Sequence, residues 1–346
     1  MNHIYNADCL EGLHRLPDQC VHCCITSPPY YGLRDYGVEG QIGLEETPEA
    51  YITRLVKVFR EVRRVLRDDG TLWINIGDSY AGSGKGGASY PDNAKKYKQG
   101  TNHGMIGQVA TTGIGKGNCK PKDLIGIPWM LAFALRADGW YLRQDIVWAK
   151  PNPMPESVTD RCTKSHEYLF LLSKSPKYYY DAKSISEPVA ESTIKRLDQD
   201  IDSQKGSDRV PGKKNGAMKA CAPRYGGSKY TADPESFYRT KSGNAYDFKP
   251  TRNKRDVWTV STQPFKGAHF ATFPQKLIEP CILAGCPIGG VVLDPFMGSG
   301  TTAVVALKHE RHYIGIEISQ DYCEIALNRI SETAVSAGKE NDNGEA

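Results

Sequence analysis

The chain has 346 residues, of which 39% are hydrophobic and 24% charged, with a formal charge of +4. Its pI is about 8.4 and its mean hydropathy −0.50, values ordinary for a globular α/β chain of one large domain or one domain with a sizeable insertion. No apolar run approaches the ~20 residues of a membrane span. Met1-Asn2-His3-Ile4-Tyr5-Asn6 lacks the basic start and apolar core of an export signal, so the expected location is cytoplasmic, away from any membrane. Ten cysteines are scattered along the chain. Cys20-Val21-His22-Cys23-Cys24 contains a C-x-x-C but no second ligand pair at similar spacing, so no metal site is expected.

In chain order, Val21–Ile25 reads as a short buried strand ending at Ser27-Pro28-Pro29-Tyr30. Thr47-Pro48-Glu49 starts a helix, with proline at the first helical position and an acid at the positive end of the dipole. Ile52, Leu55, Val56, Phe59, Val62 and Leu66 continue it at helical spacing, and Gly70 supplies the stop. Thr71–Ile76 is the next strand. A helix over Leu124–Ala137, closed by Gly139, precedes a strand over Gln144–Trp148. The α/β rhythm resumes with strand Gly290–Leu293, a helix after Gly300, strand Tyr313–Ile316, and a last helix from Gln320 to about Val335. No internal repeat is evident.

Two stretches interrupt this rhythm. Residues 80–121 are rich in Gly, Lys and Asn and read as a long mobile loop; between Pro91 and Lys122 there are six lysines against one acid, Asp92. Residues 181–255 carry 16 Lys and Arg against 10 Asp and Glu with little apolar periodicity, and read as an inserted subdomain. The rest of the chain is net acidic. Two basic segments on an acidic body point to a polyanion as partner. The expected organisation is a first α/β half over 1–180, an insertion over 181–255, a second half over 256–335, and a disordered polar tail over 336–346.

Two motifs carry chemistry. Asp294-Pro295-Phe296-Met297-Gly298-Ser299-Gly300-Thr301 follows a strand and opens a helix, where small residues let the backbone approach a ligand. Glu317 ends the next strand, 19 residues after Gly298 and where doubly wound nucleotide-binding units place an acid for ribose hydroxyls. Asp294 would repel a pyrophosphate and suits a cationic ligand, which favours S-adenosylmethionine over NAD. Gly82-Ser83-Gly84-Lys85-Gly86-Gly87 lacks both the upstream glycine and the Ser or Thr of a phosphate loop.

The second motif is Thr26-Ser27-Pro28-Pro29-Tyr30-Tyr31. Two prolines rigidify the turn and donate no backbone hydrogen bond, leaving the Ser27 hydroxyl and the Pro28 carbonyl as acceptors. An exocyclic amino nitrogen is a poor nucleophile because its lone pair is delocalised into the ring. Two acceptors holding its hydrogens favour a tetrahedral nitrogen aimed at a methyl group. Tyr30 offers a ring to a base taken out of the duplex.

Together these motifs resemble the amino DNA methyltransferases, the N4-cytosine and N6-adenine family, over most of the chain outside the basic stretches. The order, catalytic motif first and cofactor motif last, resembles the circularly permuted β class. The resemblance implies a Rossmann-like, open, mostly parallel seven-stranded sheet with helices on both faces and the insertion as target-recognition region. It assigns Ser27, Pro28, Pro29 and Tyr30 to catalysis. Its cofactor residues are Asp8 and Cys9 for the adenine of S-adenosylmethionine, Phe273 within Phe270–Pro274 for the methionine end, and Glu317 for the ribose. Asp294, Pro295, Phe296, Gly298, Gly300 and Thr301 form the cradle. Trp148-Ala149-Lys150-Pro151-Asn152-Pro153 resembles the border of the target-base pocket. Implied partners are double-stranded DNA, a cognate restriction endonuclease and a second copy in a homodimer. Ser27 resembles the N4-cytosine group, whereas many N6-adenine enzymes carry Asp or Asn there. N6-adenine methylation, an NAD-type oxidoreductase and a non-catalytic DNA-binding protein remain the alternatives. A C5-cytosine enzyme would need a nucleophilic cysteine; Pro280-Cys281 is flanked by Leu277, Ile278, Ile282 and Leu283 at core spacing.

Overall fold

A computed structural model describes residues 2–32, 38, 40–81, 118–120, 122–192, 237–239, 245–247, 251–263 and 273–342. Residues 82–117, with the phosphate-loop-like segment, and most of 193–250 lie outside the described residues, as do Phe270, Ala271 and Thr272. The chain divides into two units, residues 1–184 with 255–346, and residues 185–254.

The larger unit is built on one sheet. Its strands are β1 (His3–Asn6), β2 (Val21–Thr26), β3 (Leu66–Ile76), β4 (Tyr141–Ala149), β5 (His166–Ser173), β10 (Val257–Thr259), β11 (Val291–Asp294) and β12 (His312–Glu317). Their spatial order is β1-β12-β11-β2-β3-β5-β4-β10. Only β5 runs antiparallel to its neighbours; the expected seven strands are joined by β10, three residues that add in parallel to the edge of β4. The helices are α1 (Cys9–His14), α2 (Pro48–Val65), α3 (Ile127–Ala137), α4 (Gln275–Gly285), α5 (Thr301–Lys308) and α6 (Gln320–Asp342).

Side chains of a strand alternate between faces. Leu72, Ile74 and Ile76 of β3 join one core cluster with Tyr51, Leu55, Phe59 and Val62 of α2 and Leu131 and Leu135 of α3. The intervening Thr71 and Trp73 meet Gly285 of α4 on the other face. Helices therefore cover both faces, and the central strands β2 and β11 and the second half of β3 are buried runs, as a parallel sheet covered on both sides requires.

Local signals account for most boundaries. Thr47 caps α2, its hydroxyl accepting from the Ala50 amide at 3.1 Å, with Pro48 at the first helical position. Gly70 is not the helix stop: α2 ends at Val65, and Leu66 is already extended, at φ −69° and ψ 141°. Leu66 pairs with Val21, the next pairing is Thr71 with Cys23, and the intervening residues form a bulge in β3. Helix α3 begins at Ile127 rather than Leu124 because its N-terminal amides are held from a distance. Asp78 accepts from the amides of Gly126 and Ile127, both at 3.0 Å to Oδ1. The last helix passes Val335 and runs to Asp342, where Ala337, Lys339 and Glu340 favour helix.

In the smaller unit β6 (Glu187–Pro188) pairs with β9 (Thr251–Arg252), and β7 (Phe237–Arg239) with β8 (Ala245–Asp247), both antiparallel. Glu187 lies 3.6 Å from Arg252 and 3.7 Å from Lys254.

Gly285 is where helix and sheet come closest. A Cβ there would lie 2.6 Å from Thr71 Oγ1 and 2.7 Å from Trp73 Nε1, both buried. Gly285→Ala is expected to destabilise the protein by about 1–3 kcal/mol, the ordinary cost of overpacking. Urea unfolding should show a lowered midpoint with unchanged slope.

Candidate functional site

Five adjacent parallel strands, β1, β12, β11, β2 and β3, end along one edge of the sheet. Asn6 pairs with Glu317, Asp294 with Gly315, Leu293 with Cys24, and Thr26 with Ile74. Asp8, Glu317, Asp294, Ser27 and Asp78 thus leave the sheet side by side, in the crevice outside the carboxyl ends where open α/β sheets take their ligands.

Asp294 is 1% exposed. Its Oδ1 accepts from Thr26 Oγ1 at 2.6 Å and from the Phe296 amide at 3.1 Å, and its Oδ2 accepts from Thr302 Oγ1 at 2.7 Å. Burial pushes its pKa up from 3.8 to about 6, against the three hydrogen bonds, which favour the ionised form. The carboxylate therefore ties the tip of β2 to the start of α5, with one acceptor position of Oδ2 left over. Beyond it the backbone turns through Gly298 at φ +51° and Gly300 at φ +80°. A Cβ on Gly300 would also sit 2.8 Å from that of Ala326. Pro295 is buried and Phe296 half-buried. The Thr301 hydroxyl accepts from Arg329 at 3.2 Å, and Arg329 also holds the Ser299 hydroxyl at 2.7 Å, bracing the turn from behind.

Glu317 accepts the Gly298 amide on Oε2 at 2.8 Å and the Ser319 amide on Oε1 at 2.9 Å, so each oxygen keeps a lone pair. Burial raises its pKa, and the neighbouring Asp294 adds to the rise against the amide bonds. Asp8 caps α1: its Oδ1 accepts from the Leu10 amide at 2.8 Å, and its Oδ2 lies 4.0 Å from the Cys9 sulfur. The Cys9 thiol is 6% exposed and pushed up to about 12, chiefly by burial. Phe273 is half-buried just before Pro274, the residue that precedes α4. Cys281 is fully buried in α4, its thiol turned to the Leu277 carbonyl.

At the tip of β2, Ser27 is half-buried and Pro28 buried. Tyr51 donates to the Pro29 carbonyl at 2.7 Å; among the described residues none donates to the Pro28 carbonyl. The Tyr30 hydroxyl lies 2.7 Å from Glu167 Oε2 and 3.2 Å from Asn75 Oδ1. Burial first, then the Glu167 carboxylate, holds its pKa well above the usual tyrosine range. The Tyr30 ring lies against Gly77, where a Cβ would come within 2.7 Å of it.

Glu167 and Lys164 at this edge carried no motif, whereas Trp148, Lys150 and Asn152 belong to the segment expected to border the target-base pocket. Lys150 pairs with Glu167 Oε1 and lies 4.3 Å over the Trp148 ring. Lys164 donates to the Asp78 carbonyl at 2.6 Å, and burial lowers its pKa. Trp148 donates to the Val260 carbonyl at 2.7 Å, and Asn152 accepts from the Thr262 amide at 3.0 Å. The chain returning to the sheet through β10 is thereby stitched to the loop after β4. The one available signal for Glu167 was an acid at the head of an otherwise apolar strand.

A parallel sheet with two acids and a glycine turn at its carboxyl edge defines a doubly wound enzyme with a nucleoside-cofactor site. The family of DNA methylases matches over residues 21–328. Type II methyltransferase M.Cfr9I of Citrobacter freundii is 46% identical over 327 residues, 94% of this chain and 87% of that protein. Among solved structures, the putative DNA modification methylase TTHA0409 of Thermus thermophilus, complexed with S-adenosyl-L-methionine, matches with a TM-score of 0.54 at 22% identity, over 96% of this chain and 94% of that one. The cytosine-N4-specific PvuII DNA methyltransferase matches with a TM-score of 0.57 at 16% identity, over 94% and 85%. The chain belongs to the N4/N6 amino DNA methyltransferase family and has its Rossmann-like fold.

The methyl donor of this family is S-adenosylmethionine, and the crevice fits it. Gly298 and Gly300 keep the backbone open, Glu317 retains acceptors for hydroxyls, and three carboxylates suit a cationic ligand better than a pyrophosphate. When bound it supplies a methyl group on a positively charged sulfur.

Asp294 gives the site a pH signature. The folded chain holds a proton there up to about pH 6, the unfolded chain only to its ordinary 3.8, so stability falls as pH rises between those values and is level above them. Asp294→Asn lacks this dependence. In unfolding without cofactor, the stability of the variant relative to the wild type is expected to improve by up to about 3 kcal/mol from pH ~4 to ~7. A difference independent of pH would contradict the assignment.

Proposed function

We propose that this methyltransferase modifies the exocyclic N4 of cytosine in duplex DNA, at a specific site, with the target base turned out of the stack. The observation that carries the reading is the pair of acceptors at the tip of β2: the Ser27 hydroxyl, and a Pro28 carbonyl with no donor among the described residues. They receive the two amino hydrogens while Pro29, anchored by Tyr51, keeps the turn rigid. A neutral hydroxyl at position 27 is the smaller acceptor, in keeping with the N4-cytosine group that Ser27 resembles. The Tyr30 ring, backed by Gly77, stacks on the extruded base.

In this reading Glu317 binds the ribose and Asp8 with Cys9 the adenine of S-adenosylmethionine. Phe273 flanks the methionine end, and Pro295, Phe296, Gly298, Gly300 and Thr301 shape the cradle that Asp294 holds against β2. The basic residues of 181–255, with the lysines of 91–122, grip the phosphates and read the sequence. A cognate restriction endonuclease and a second copy in a homodimer are the protein partners.

Methylated DNA digested to nucleosides is expected to yield N4-methylcytosine by mass spectrometry. N6-methyladenine would move the target base and keep the amino chemistry; 5-methylcytosine would overturn both. Ser27→Ala is expected to lower the turnover rate by roughly 10²-fold, the scale of losing one preorganised hydrogen bond to a reacting group, with cofactor affinity retained. Removing residues 185–250 should abolish site-selective methylation and leave S-adenosylmethionine binding intact in calorimetry; unchanged site selectivity would place recognition elsewhere.

A further inference from the structure

We infer that Glu167, fixed by Lys150, is a positioning residue that works with Asn75 to clamp the Tyr30 hydroxyl, holding the ring ready for the extruded base. The inference rests on Tyr30 stacking on that base, as proposed above.

A tyrosine ring turns about two side-chain torsions, and any freedom it keeps must be given up when a base stacks on it. Tyr30 keeps little. At its backbone end, the preceding Pro29 carbonyl accepts from Tyr51 at 2.7 Å. At the other end, its hydroxyl lies 2.7 Å from Glu167 Oε2, within the range of a strong bond to a carboxylate, and 3.2 Å from Asn75 Oδ1. The Cδ2–Cε2 side of the ring lies against Gly77, where a Cβ would come within 2.7 Å of Cε2. The side chain is thus held at both ends and along one side.

The clamp is itself held. Asn75 lies near the end of β3, Glu167 near the start of β5, and Lys150 directly after β4, on three neighbouring strands. Glu167 Oε1 pairs with Lys150, whose ammonium also lies 4.3 Å over the Trp148 ring. The Lys150 amide donates to the Ser165 carbonyl at 2.8 Å. The Lys150 and Glu167 side chains are 17% and 14% exposed, so solvent screens their pairing little. The buried Asn75 amide nitrogen donates to the Tyr168 carbonyl at 3.2 Å and reaches Glu167 Oε2 at 3.4 Å, which leaves its oxygen facing Tyr30. A carboxylate on a free stem would follow the ring; one gripped by an ammonium and an amide fixes it.

Stacking alone gives the hydroxyl no task, because a phenylalanine face serves a base as well. The clamp gives it one, and Tyr30→Phe separates the two roles. The test measures methyl transfer from labelled S-adenosylmethionine to mixed-sequence duplex DNA by Tyr30→Phe, Tyr30→Ala, Glu167→Gln, Glu167→Ala and the Tyr30→Phe/Glu167→Ala double variant. Tyr30→Phe is expected to lower kcat ~5- to 50-fold, short of the ~10²-fold that an ångström of misplacement can cost. Its KM for DNA, cofactor affinity and melting temperature are expected to stay close to those of the wild type. Glu167→Ala should lose about as much in kcat, and Glu167→Gln, which keeps an acceptor, should fall between it and the wild type. The double variant is expected to be no slower than the worse single one, because phenylalanine has no bond for Glu167 to make. Tyr30→Ala, which loses the ring as well, should be the slowest.

A Tyr30→Phe kcat within about twofold of wild type, beside a slow Tyr30→Ala, would overturn the clamp and leave the stacking role standing. So would losses that multiply in the double variant, or a loss confined to KM or melting temperature. Tyr30→Ala as fast as the wild type would overturn the stacking role and the clamp with it. Tyr30→Phe, nearly isosteric, decides the matter should Glu167→Ala fail to fold. The base methylated by the wild type is read separately, so a wrong target base is distinguishable from a wrong clamp.

Discussion

A single buried carboxylate holds the two halves of the site together. Thr26 and Asp294 are 268 positions apart in the chain, yet their side chains meet at 2.6 Å at the tips of adjacent parallel strands. Without its donors a carboxylate in that place would be expelled or protonated. With Thr26, Thr302 and the Phe296 amide on it, it fixes the start of the Ser-Pro-Pro-Tyr turn against the start of the glycine turn. Methyl transfer needs nucleophile and donor in line within a few tenths of an ångström. A bond between the first residues of the two motifs, Thr26 and Asp294, is the shortest way to fix that relation.

The order of motifs along the chain follows from the same sheet. The five parallel strands that carry the site are assembled from both ends of the chain: β1, β2 and β3 from the first 76 residues, β11 and β12 from beyond residue 290. β1 at the N-terminus is an edge strand beside β12, near the C-terminus. The antiparallel β5 and the returning β10 close the other side and deliver Glu167 and the stitched loop after β4 to the same edge. The insertion leaves and re-enters between these latter elements, so variation there need not disturb the strand tips.

The sequence made the alternating elements legible because a sheet buried on both faces writes itself as apolar runs, and because Thr47-Pro48 and the glycines around 298–300 are local signals. It misled where the decisive contact was distant. Gly70 looks like a helix stop, but the chain had already turned at Leu66, and the glycine sits in a bulge where a Cβ would lie 2.9 Å from the Leu66 side chain. The start of α3 is set by Asp78, some fifty residues earlier. Asp8 shows the converse: one oxygen caps a helix, the role any aspartate before Cys9-Leu10 takes locally, and the other, among the described residues, meets the Cys9 thiol alone. The cluster of Glu167, Lys150, Asn75 and Lys164 is gathered from separate strands and loops, and no spacing in one dimension marks it.

That cluster bears on why a neutral residue opens the Ser-Pro-Pro-Tyr turn. A carboxylate at position 27 would stand close to Asp294, already pushed up to about 6 by burial, and near Glu317, whose pKa that same acid raises. A further negative charge at the strand tips would raise all three pKa values and favour protonation. Moving the charge to Glu167, beside the Lys150 ammonium and on the far side of Tyr30, removes that repulsion. In the proposed reading, the acidic side of the crevice is left to the cationic methyl donor, and the neutral side to the amino group of the base.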